Sequence, residues 1–354
     1  MGKWKEYKWG NLATLEYGKG LRDYLRTDGK YPVYGTNGKI GTADNFLCPF
    51  PGIVIGRKGA YRGVHFSSTP FYVIDTAFYL NPKVNDLDMK FAYYHLLTVD
   101  INYMDSGSAI PSTSREDFYD LDISLPSLPE QKSIASILSS LDDKIDLLHR
   151  QNKTLEALAE TLFRQWFVEE AEEGWETGKL GDYAFVTTGK GLKRHEFIDN
   201  GIYPVLGANG EIGRTNNFLT DDRLILTGRV GTLGKVYISE DKVWISDNVL
   251  IVTPESIFFY PIYFILKRTE FENLNVGSTQ PLVTQTDLKN IEFKLPSADI
   301  LKSYEKQCSA YFEKISKNKV QIRTLTRLRD ALLPKLMSGE VRVTDVERSV
   351  ETAS

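Results

Sequence analysis

The clearest pattern in the chain is a regular spacing of apolar positions, alternately four and three residues apart, in two long stretches. The first stretch has seam positions at Ile134, Leu138, Leu141, Ile145, Leu148, Asn152, Leu155, Ala159, Leu162 and Trp166. The second has them at Tyr304, Cys308, Tyr311, Ile315, Asn318, Ile322, Leu325, Arg329, Leu332 and Leu336. This is the a/d spacing of a coiled coil. We therefore predict two long helices that bury their stripes against each other.

The remaining stretches are rich in short apolar runs separated by Gly, Pro and Asn. Examples are GIVIG at 52–56, FYVID at 71–75 and RLILTG at 223–228. Runs of this length between turn residues indicate many short strands. Brief helices are predicted at 91–97 and around 262–266. The expected fold class is α+β, with two mostly β domains joined by two long antiparallel coiled-coil helices.

The chain contains a long internal repeat. The segment YPVYGTNGKIG at 31–41 returns as YPVLGANGEIG at 203–213, with eight of eleven positions identical. The offset is 172 there, 171 upstream and 170 downstream. A repeat of about 170 residues is too long for a solenoid, so it indicates a duplicated domain.

The changes between strand-rich stretches and long helical stretches predict the domain boundaries. The predicted segments are a first domain at 1–128, a first helix at 129–170, a second domain at 171–298, a second helix at 299–338 and a tail at 339–354.

The repeat also predicts how the two helices pair. If they run antiparallel about the pseudo-twofold axis of the repeat, facing positions sum to 470, as Ile134 and Leu336 do. Asn152 then faces Asn318. Two seam asparagines that meet would satisfy each other's hydrogen bonds and fix the register.

Composition narrows the setting but not the function. The chain has 354 residues, a formal net charge of −4 and only two cysteines, Cys48 and Cys308, neither in a metal-ligand or disulfide-framework spacing. The first ten residues are polar, and no apolar run approaches 18 residues. We expect a soluble protein in the cytoplasm.

Several kinds of catalytic site are not supported by the sequence. A phosphate-binding loop would need Gly and Ser or Thr where the chain has Ala13 and Gly20, and the second copy fails in the same way. The four histidines are scattered and do not repeat between copies, so neither a metal site nor a catalytic triad is indicated. The chain has no Pro-Pro dipeptide, which excludes the [DN]PP[YFW] element that amino-methyltransferases share.

What repeats instead is a set of loops rich in Gly, Asn and Arg. The GxNGxxG pattern at 35–41 and 207–213 predicts a tight turn with positive φ. The Gly-Arg-x-Gly pattern at 56–59 and 228–231 places an arginine between glycines, where a flat partner can approach closely. Residues beside these shared frames differ between copies, which is typical of two recognition modules with different targets.

These loops and their neighbours supply the predicted DNA-binding residues, since Arg, Asn, Gln and Ser can read base edges while Lys holds phosphates. In the first copy they are Lys19, Arg22, Asn37, Lys39, Arg57, Lys58, Tyr61, Arg62, Ser108 and Ser112. In the second copy they are Lys190, Lys193, Arg194, Asn209, Arg214, Arg229, Thr232, Lys235, Ser278 and Gln280.

Local charge favours a nucleic-acid face in the first copy. Residues 1–65 contain 11 Lys and Arg and 5 Asp and Glu, a net of +6, whereas residues 66–128 have a net of −6. Such polarised charge is typical of a polyanion-binding surface. In the second copy, residues 173–237 contain 8 Lys and Arg and 8 Asp and Glu. Local charge therefore favours a nucleic-acid face in the first copy and not in the second.

The whole arrangement resembles the specificity subunit of type I restriction-modification systems. The most specific segments are LPSLPEQKSIASIL at 125–138, LFRQWFVEE at 162–170 and LRDALLPKLMSGEVRV at 328–343. The second helix departs from the pattern at its start, where SADILKSYEKQC replaces the Pro-Glu-Gln opening.

The resemblance implies a non-catalytic reader of double-stranded DNA. Two target-recognition domains would each read half of an asymmetric bipartite site, while the helices would set the spacer and dock two modification subunits. S-adenosylmethionine, ATP and Mg would be bound by partner subunits, which include the restriction subunits, and no metal or cofactor by this chain. A competing interpretation is a coiled-coil scaffold whose globular repeats bind proteins.

Overall fold

The computed structural model of the chain describes residues 4–104, 111–230, 233–274 and 282–343. These residues form two compact units. The first unit comprises the chain up to Leu148 and from Val320 onward, and the second comprises His149–Lys319. The division falls within both long helices, so each unit holds one mostly β domain together with part of each helix.

Within the described ranges, the first domain has nine short strands and three short helices. Its strands are β1 (Lys5–Lys8), β2 (Ala13–Tyr17), β3 (Tyr31–Gly35), β4 (Gly38–Ala43), β5 (Gly52–Gly56), β6 (Val64–Ser67), β7 (Tyr72–Val73), β8 (Ala77–Pro82) and β9 (Asp122–Leu125). Its helices are α1 (Trp9–Leu12), α2 (Met89–Leu97) and α3 (Arg115–Asp120), with a 3-10 turn at Ile101–Tyr103. The predicted helix at 91–97 is confirmed within α2.

Three small sheets organise these strands. An antiparallel sheet has the order β2-β8-β5-β6, a three-stranded sheet has the order β4-β3-β7, and β1 pairs with β9. The β3–β7 pair is parallel, and β3 shifts register against β4 between Val33 and Tyr34. The β1–β9 pair brings the two ends of the domain together. The first domain then continues directly into the long helix α4 (Leu128–Arg164), which ends in a π-helical turn at Gln165–Glu169.

The second domain repeats this plan. Its strands are β10 (Glu176–Lys179), β11 (Ala184–Thr188), β12 (Tyr203–Gly207), β13 (Gly210–Thr215), β14 (Leu224–Gly228), β15 (Val236–Ser239), β16 (Trp244–Ile245), β17 (Val249–Pro254) and β18 (Glu292–Leu295). Its helices are α5 (Leu180–Tyr183), α6 (Phe259–Arg268) and α7 (Gln285–Lys289), with 3-10 turns at Arg194–Glu196, Ser256–Phe258 and Phe271–Leu274. The sheet orders β11-β17-β14-β15, β13-β12-β16 and β10-β18 match those of the first domain strand for strand. The second long helix, α8 (Ala298–Met337), follows.

The shared glycine frame forms the tight turn that the sequence predicts. In each domain a two-residue turn joins the central hairpin, β3–β4 or β12–β13, and the next residue is a glycine. Gly38 has φ +111° and Gly210 has φ +117°, values that side-chain-bearing residues rarely adopt. The prediction of positive φ is confirmed in both copies.

The two long helices bury the predicted seam. Every seam position along α4 and α8 is buried or half-buried, and none is exposed. The predicted α+β fold class, with its repeated domains and long helices, is confirmed. No helix within the described ranges is long and apolar enough to cross a membrane.

Contacts within each unit show that the helices run antiparallel. In the second unit Asn318 Nδ2 donates to Asn152 Oδ1 at 2.8 Å, and the Tyr304 hydroxyl donates to the carbonyl of Ala159 at 3.0 Å. In the first unit Arg329 Nη1 lies 2.9 Å from Asp142 Oδ1. Residue numbers along α8 therefore decrease as those of the contacting residues along α4 increase, as in an antiparallel pair. The structure brings together the two seam asparagines that the repeat arithmetic pairs, with Asn318 only 1% exposed.

Each domain packs against the helix segments of its own unit through an apolar core. In the first unit, Trp9 and Phe91 of the domain join Ile134 and Leu138 of α4 and Leu336 of α8 in one buried cluster. In the second unit, aromatic rings dominate the corresponding cluster. There Phe163 stacks on Phe264 at 5.8 Å, and Tyr304 and Phe312 pack nearby. Burial of these side chains is the main stabilising contribution in each unit.

Candidate nucleic-acid interface

Four loops of the first domain converge around the turn between β3 and β4. The Thr36 hydroxyl lies 2.8 Å from the carbonyl oxygen of Lys58 and 2.6 Å from that of Thr76. The amide of Gly63 donates to the carbonyl of Thr36 at 3.1 Å, and the amide of Gly59 donates to Pro111 at 3.0 Å. These bonds tie the turn, the loop after β5, the turn before β8 and the segment before α3 into one platform.

Arg57 lies within this platform, and Arg229 takes the equivalent place in the second domain. The amide of Arg57 donates to the carbonyl of Thr76 at 2.9 Å, and its own carbonyl accepts from the amide of Thr113 at 2.9 Å. In the second domain the amide of Arg229 donates to Asn248 at 2.9 Å, and its carbonyl accepts from Val283 at 3.0 Å. The backbone of the shared arginine therefore makes the same hydrogen bonds in both domains.

Different side chains support the turn in the two domains. In the first, the His65 ring lies beneath Gly38, where a Cβ would come within 3.3 Å of it, and burial lowers the pKa of this histidine. In the second, the Tyr237 hydroxyl donates to the carbonyl of Gly207 at 2.6 Å, and burial raises the pKa of Tyr237 to about 12. A shared backbone is thus supported by side chains that do not repeat.

Most of the predicted DNA-binding side chains that the structure describes are accessible. Those classed as exposed are Lys19, Arg22, Asn37, Lys39, Lys58, Tyr61, Lys190, Lys193, Arg194, Asn209 and Lys235. Tyr61 is 82% exposed, far more than a tyrosine that packs in a core. The Lys235 ammonium donates to the carbonyl of Asn209, which connects β15 to the turn. Arg57, Ser112 and Arg229 are half-buried, and Ser112 forms a β-bridge with Lys58.

Among the predicted DNA-binding residues, Arg62 lies inside the first domain. Its side chain is 4% exposed, and its guanidinium donates to the carbonyls of Gly59, Ile101, Asn102 and Met104. Its Nη1 and Nη2 groups are thus used by carbonyls inside the domain. Arg62 fixes the loop after β5 against the 3-10 turn.

Arg214 also has its donors occupied within the domain. Its guanidinium donates to the carbonyls of Gly201 at 2.7 Å and Ile202 at 2.8 Å, and it forms an ion pair with Glu211 at 3.0 Å. It remains half-exposed, so it can present charge to a phosphate, but its planar edge is already used. Four other predicted residues, Ser108, Thr232, Ser278 and Gln280, lie outside the described residues.

Two residues of this surface were missed by the sequence interpretation. Tyr17 ends β2 and lies beside Arg57, and Arg115 begins α3 and lies beside the Tyr17 ring. Neither repeats, because the second copy has Thr188 and Gln285 at these positions. The search for repeated residues therefore passed over them. An aromatic residue next to a Gly-Lys-Gly turn was the available signal.

The described residues contain no group of three or more His, Cys, Asp or Glu side chains that could hold a metal ion. The surface instead offers exposed cations, amide side chains and tyrosine rings on a rigid backbone. Those groups suit contacts with phosphates, base edges and base faces. They do not form a pair of acid and base or a nucleophile with its activating partner.

Comparison with known proteins identifies the family to which the chain belongs. Residues 1–157 and 172–328 match the family described as "Type I restriction modification DNA specificity domain". The MjaIX specificity subunit of Methanocaldococcus jannaschii is 26% identical, over 68% of this chain and 65% of that protein. The MjaVIII specificity subunit of the same organism is 23% identical, over 96% of this chain and 93% of that protein.

A solved structure shows the same fold. The crystal structure of a type I restriction-modification S subunit from M. genitalium superposes with a TM-score of 0.69, covering 94% of this chain and 96% of that one, at 22% sequence identity. This likeness supports the repeated architecture. Because the sequence identity is low, it concerns the fold and not the side chains of the loops.

Proposed function

Because this chain belongs to the family of type I restriction modification DNA specificity proteins, we propose that each of its two domains reads one half of a bipartite DNA site. The chain is the DNA-recognition component of such a system, and the methyl-transfer and cleavage chemistry belongs to partner subunits. The observation that carries the proposal is the platform around Arg57 and Arg229. Its backbone is built twice, and its exposed side chains differ between the two domains.

The difference between the platforms predicts an asymmetric target. Beside the shared arginine, the first domain has Lys58 and Tyr61 where the second has Val230 and Leu233. Base discrimination depends on which donors and acceptors reach the groove edges. The two halves of the site should therefore differ in sequence although the protein scaffold is repeated.

The long helices are proposed to set the spacer between the half-sites and to dock two modification subunits. The 37 residues of α4 extend about 55 Å at 1.5 Å per residue, compared with about 34 Å per turn of B-DNA. S-adenosylmethionine would be bound by the modification subunits, and ATP with Mg by the restriction subunits. We place the complex in the cytoplasm, where it meets double-stranded DNA.

The function is tested with the complete complex of specificity and modification subunits, by mapping methylated adenines over a whole genome. We expect one asymmetric bipartite motif. In Arg57→Ala, discrimination should relax at one position of a single half-site by about 1–3 kcal/mol, and in Arg229→Ala in the other half-site. If DNA binding were weakened equally on all sequences, these arginines would contact phosphates and would not read bases.

A salt titration separates DNA recognition from a scaffold that binds only proteins. A reader contacting several phosphates should lose orders of magnitude of duplex affinity between about 50 and 200 mM salt. Affinity that does not change with salt, together with an absence of methylation motifs, would favour the scaffold.

A further inference from the structure

One aromatic ring at the first platform is shared by two arginines. The guanidinium carbon of Arg57 lies 4.7 Å from the centroid of the Tyr17 ring, and that of Arg115 lies 5.2 Å from it. Both distances are within the range of cation–π attraction. The Tyr17 side chain is 47% exposed, so this arrangement lies at the surface rather than in the core.

The Arg57 guanidinium is oriented but only partly used. Its Nη1 donates to the carbonyl oxygen of Asp75 at 3.0 Å, and Phe78 lies 5.8 Å from its carbon on the same side of the sheet as Tyr17. Within the described ranges no carboxylate oxygen lies within 4 Å of Arg57 or Arg115. The bond to Asp75 and the ring contacts fix the plane of the group, and among the described residues its other donors have no hydrogen-bond acceptor.

Arg115 is itself held firmly. Its Nε and Nη2 donate to the Tyr119 hydroxyl at 3.3 and 3.0 Å, and that hydroxyl also accepts from the amide of Leu15 at 3.0 Å. Arg115 is thereby tied to strand β2, two residues from Tyr17. The partly exposed Tyr17 ring is thus flanked by Arg115, which is fixed to the fold, and by Arg57, which has donors to spare.

The second domain lacks this arrangement at structurally equivalent positions. Tyr17 pairs with Phe78 across the sheet, and Thr188 pairs with Leu250 in the same way. Gln285 begins α7 as Arg115 begins α3, and Lys289 replaces Tyr119. The Nε of Arg229 is buried and has no hydrogen-bond partner among the residues that the structure describes. The two shared arginines are therefore held in different ways.

We propose that Tyr17, held in place by Arg115, is a positioning residue that orients Arg57 for reading one base of the half-site recognised by the first domain. This inference rests on the proposed function. Fixing the guanidinium before DNA binds lowers the entropy cost of ordering it in the complex. A planar guanidinium can offer two parallel donors, which suits an acceptor pair on one base edge, such as O6 and N7 of guanine.

The test uses the complex of specificity and modification subunits. Methylation kcat/KM is measured on duplexes substituted one base pair at a time across the motif. In Tyr17→Leu we expect discrimination to fall about 3- to 30-fold, as loss of a cation–π contact implies, at the position that Arg57→Ala relaxes and nowhere else. Tyr17→Phe keeps the ring face and should stay within about twofold of the parent.

Three further variants keep the test decisive. Arg115→Gln, which installs the residue of the second domain, should weaken discrimination at that same position. The double variant Tyr17→Leu with Arg57→Ala should be no worse there than Arg57→Ala alone, because Tyr17 acts through Arg57. Thr188→Leu is the matched control in the second domain and should leave both half-sites unchanged.

The outcomes separate this inference from the proposed function. If the parent complex shows a bipartite motif but Tyr17→Leu and Arg115→Gln keep full discrimination, only the positioning role is overturned. The same follows if Tyr17→Phe loses as much as Tyr17→Leu, or if the loss is equal at all positions. A parent complex without any motif overturns the proposed function itself.

Discussion

At the start of α4, the Gln131 side chain connects the helix to the first domain, whereas at the start of α8 the equivalent residue is Leu301. Gln131 is 1% exposed, donates to the carbonyls of Asp86 and Pro126 and accepts from the amide of Asp88, each bond being 2.9–3.0 Å long. Leu301 is equally buried, at 3% exposed, and joins an apolar cluster instead. The same junction is thus hydrogen-bonded in one unit and apolar in the other.

The tyrosine contacts between each domain and α4 differ in a related way. In the first unit the Tyr94 hydroxyl donates to Asp142 at 2.7 Å, and the cation beside that carboxylate is Arg329 of α8. In the second unit the Tyr263 hydroxyl donates to Glu156 at 2.8 Å.

The cation beside Glu156 comes from the domain itself, because Lys267 of α6 lies 2.8 Å from its carboxylate. Although burial opposes ionisation of Glu156, hydrogen bonds from Lys267 and Tyr263 hold its pKa below the usual range. In both units a tyrosine of the domain donates to a carboxylate of α4, but the charge is balanced from a different element.

The comparison shows which features of the repeat are tightly constrained. Strand order, positive-φ glycines and apolar seam positions recur in both units because backbone conformation and packing leave few alternatives. The polar contacts at the junctions do not recur, because any group that completes the hydrogen bonds is sufficient. Buried polar groups are therefore where the units are expected to respond differently to substitution.

The largest expected effect comes from exchanging the junction residues. Gln131→Leu should destabilise the first unit by about 2–4 kcal/mol, because the amide of Asp88 and two carbonyls lose their buried partner. Chemical denaturation combined with amide hydrogen exchange at the start of α4 measures this loss. The reciprocal Leu301→Gln should destabilise the second unit by placing an amide among apolar side chains. If both exchanges were neutral, the junctions would be interchangeable and the contrast would fail.

A second difference concerns a buried acid. Glu305 of α8 occupies the position equivalent to Ala135 of α4, and burial raises the pKa of Glu305 to about 7 from an ordinary 4.5. A raised pKa means that the folded state binds this proton more tightly than the unfolded state. Stability of the second unit should therefore fall as pH rises from about 4.5 to 7 and remain lower above that range.

Glu305→Gln should remove that dependence and stabilise the second unit by about 1–3 kcal/mol at pH 8, since the amide oxygen can still accept from the amide of Tyr260. Thermal unfolding followed from pH 5 to 8 checks the slope. A variant whose stability falls with pH as steeply as the parent's would contradict the role of Glu305.

The smallest effect is expected at the seam asparagines. Asn318→Leu alone should cost about 1–2 kcal/mol, because it leaves Asn152 without its partner. The double variant Asn152→Leu with Asn318→Leu should recover most of this loss, since replacing both buried polar partners with apolar side chains leaves neither one unpaired. A denaturant double-mutant cycle gives the coupling, and additive losses would mean that the two side chains act independently.

Much of the fold could be predicted from the sequence because its signals are periodic. The seam positions, the helix at 91–97 and the turns at Gly38 and Gly210 each follow from a spacing or a backbone requirement visible in single residues. The pairing of Asn152 with Asn318 followed from the repeat alone, and the structure brings those side chains within hydrogen-bond distance.

The site could be predicted only at the level of loops. Arg62 and Arg57 are chemically identical and lie five residues apart, yet one has its donors inside the domain and the other has donors to spare. The guanidinium of Arg62 is occupied because it meets the carbonyls of Ile101–Met104, which lie some forty residues further along the chain. Tyr17 and Gln131 were passed over for a related reason, since their importance comes from partners distant in sequence.

The division of the chain into units also has a consequence for its synthesis. The second unit is one continuous stretch, His149–Lys319, whereas the first is interrupted and is completed only by the segment from Val320 onward. A ribosome therefore supplies every residue of the second unit before the last helical turns of the first. Until Leu336 emerges, the apolar stripe at Ile134 and Leu138 lacks part of its cover. The unit encoded first is the one that must wait to finish folding.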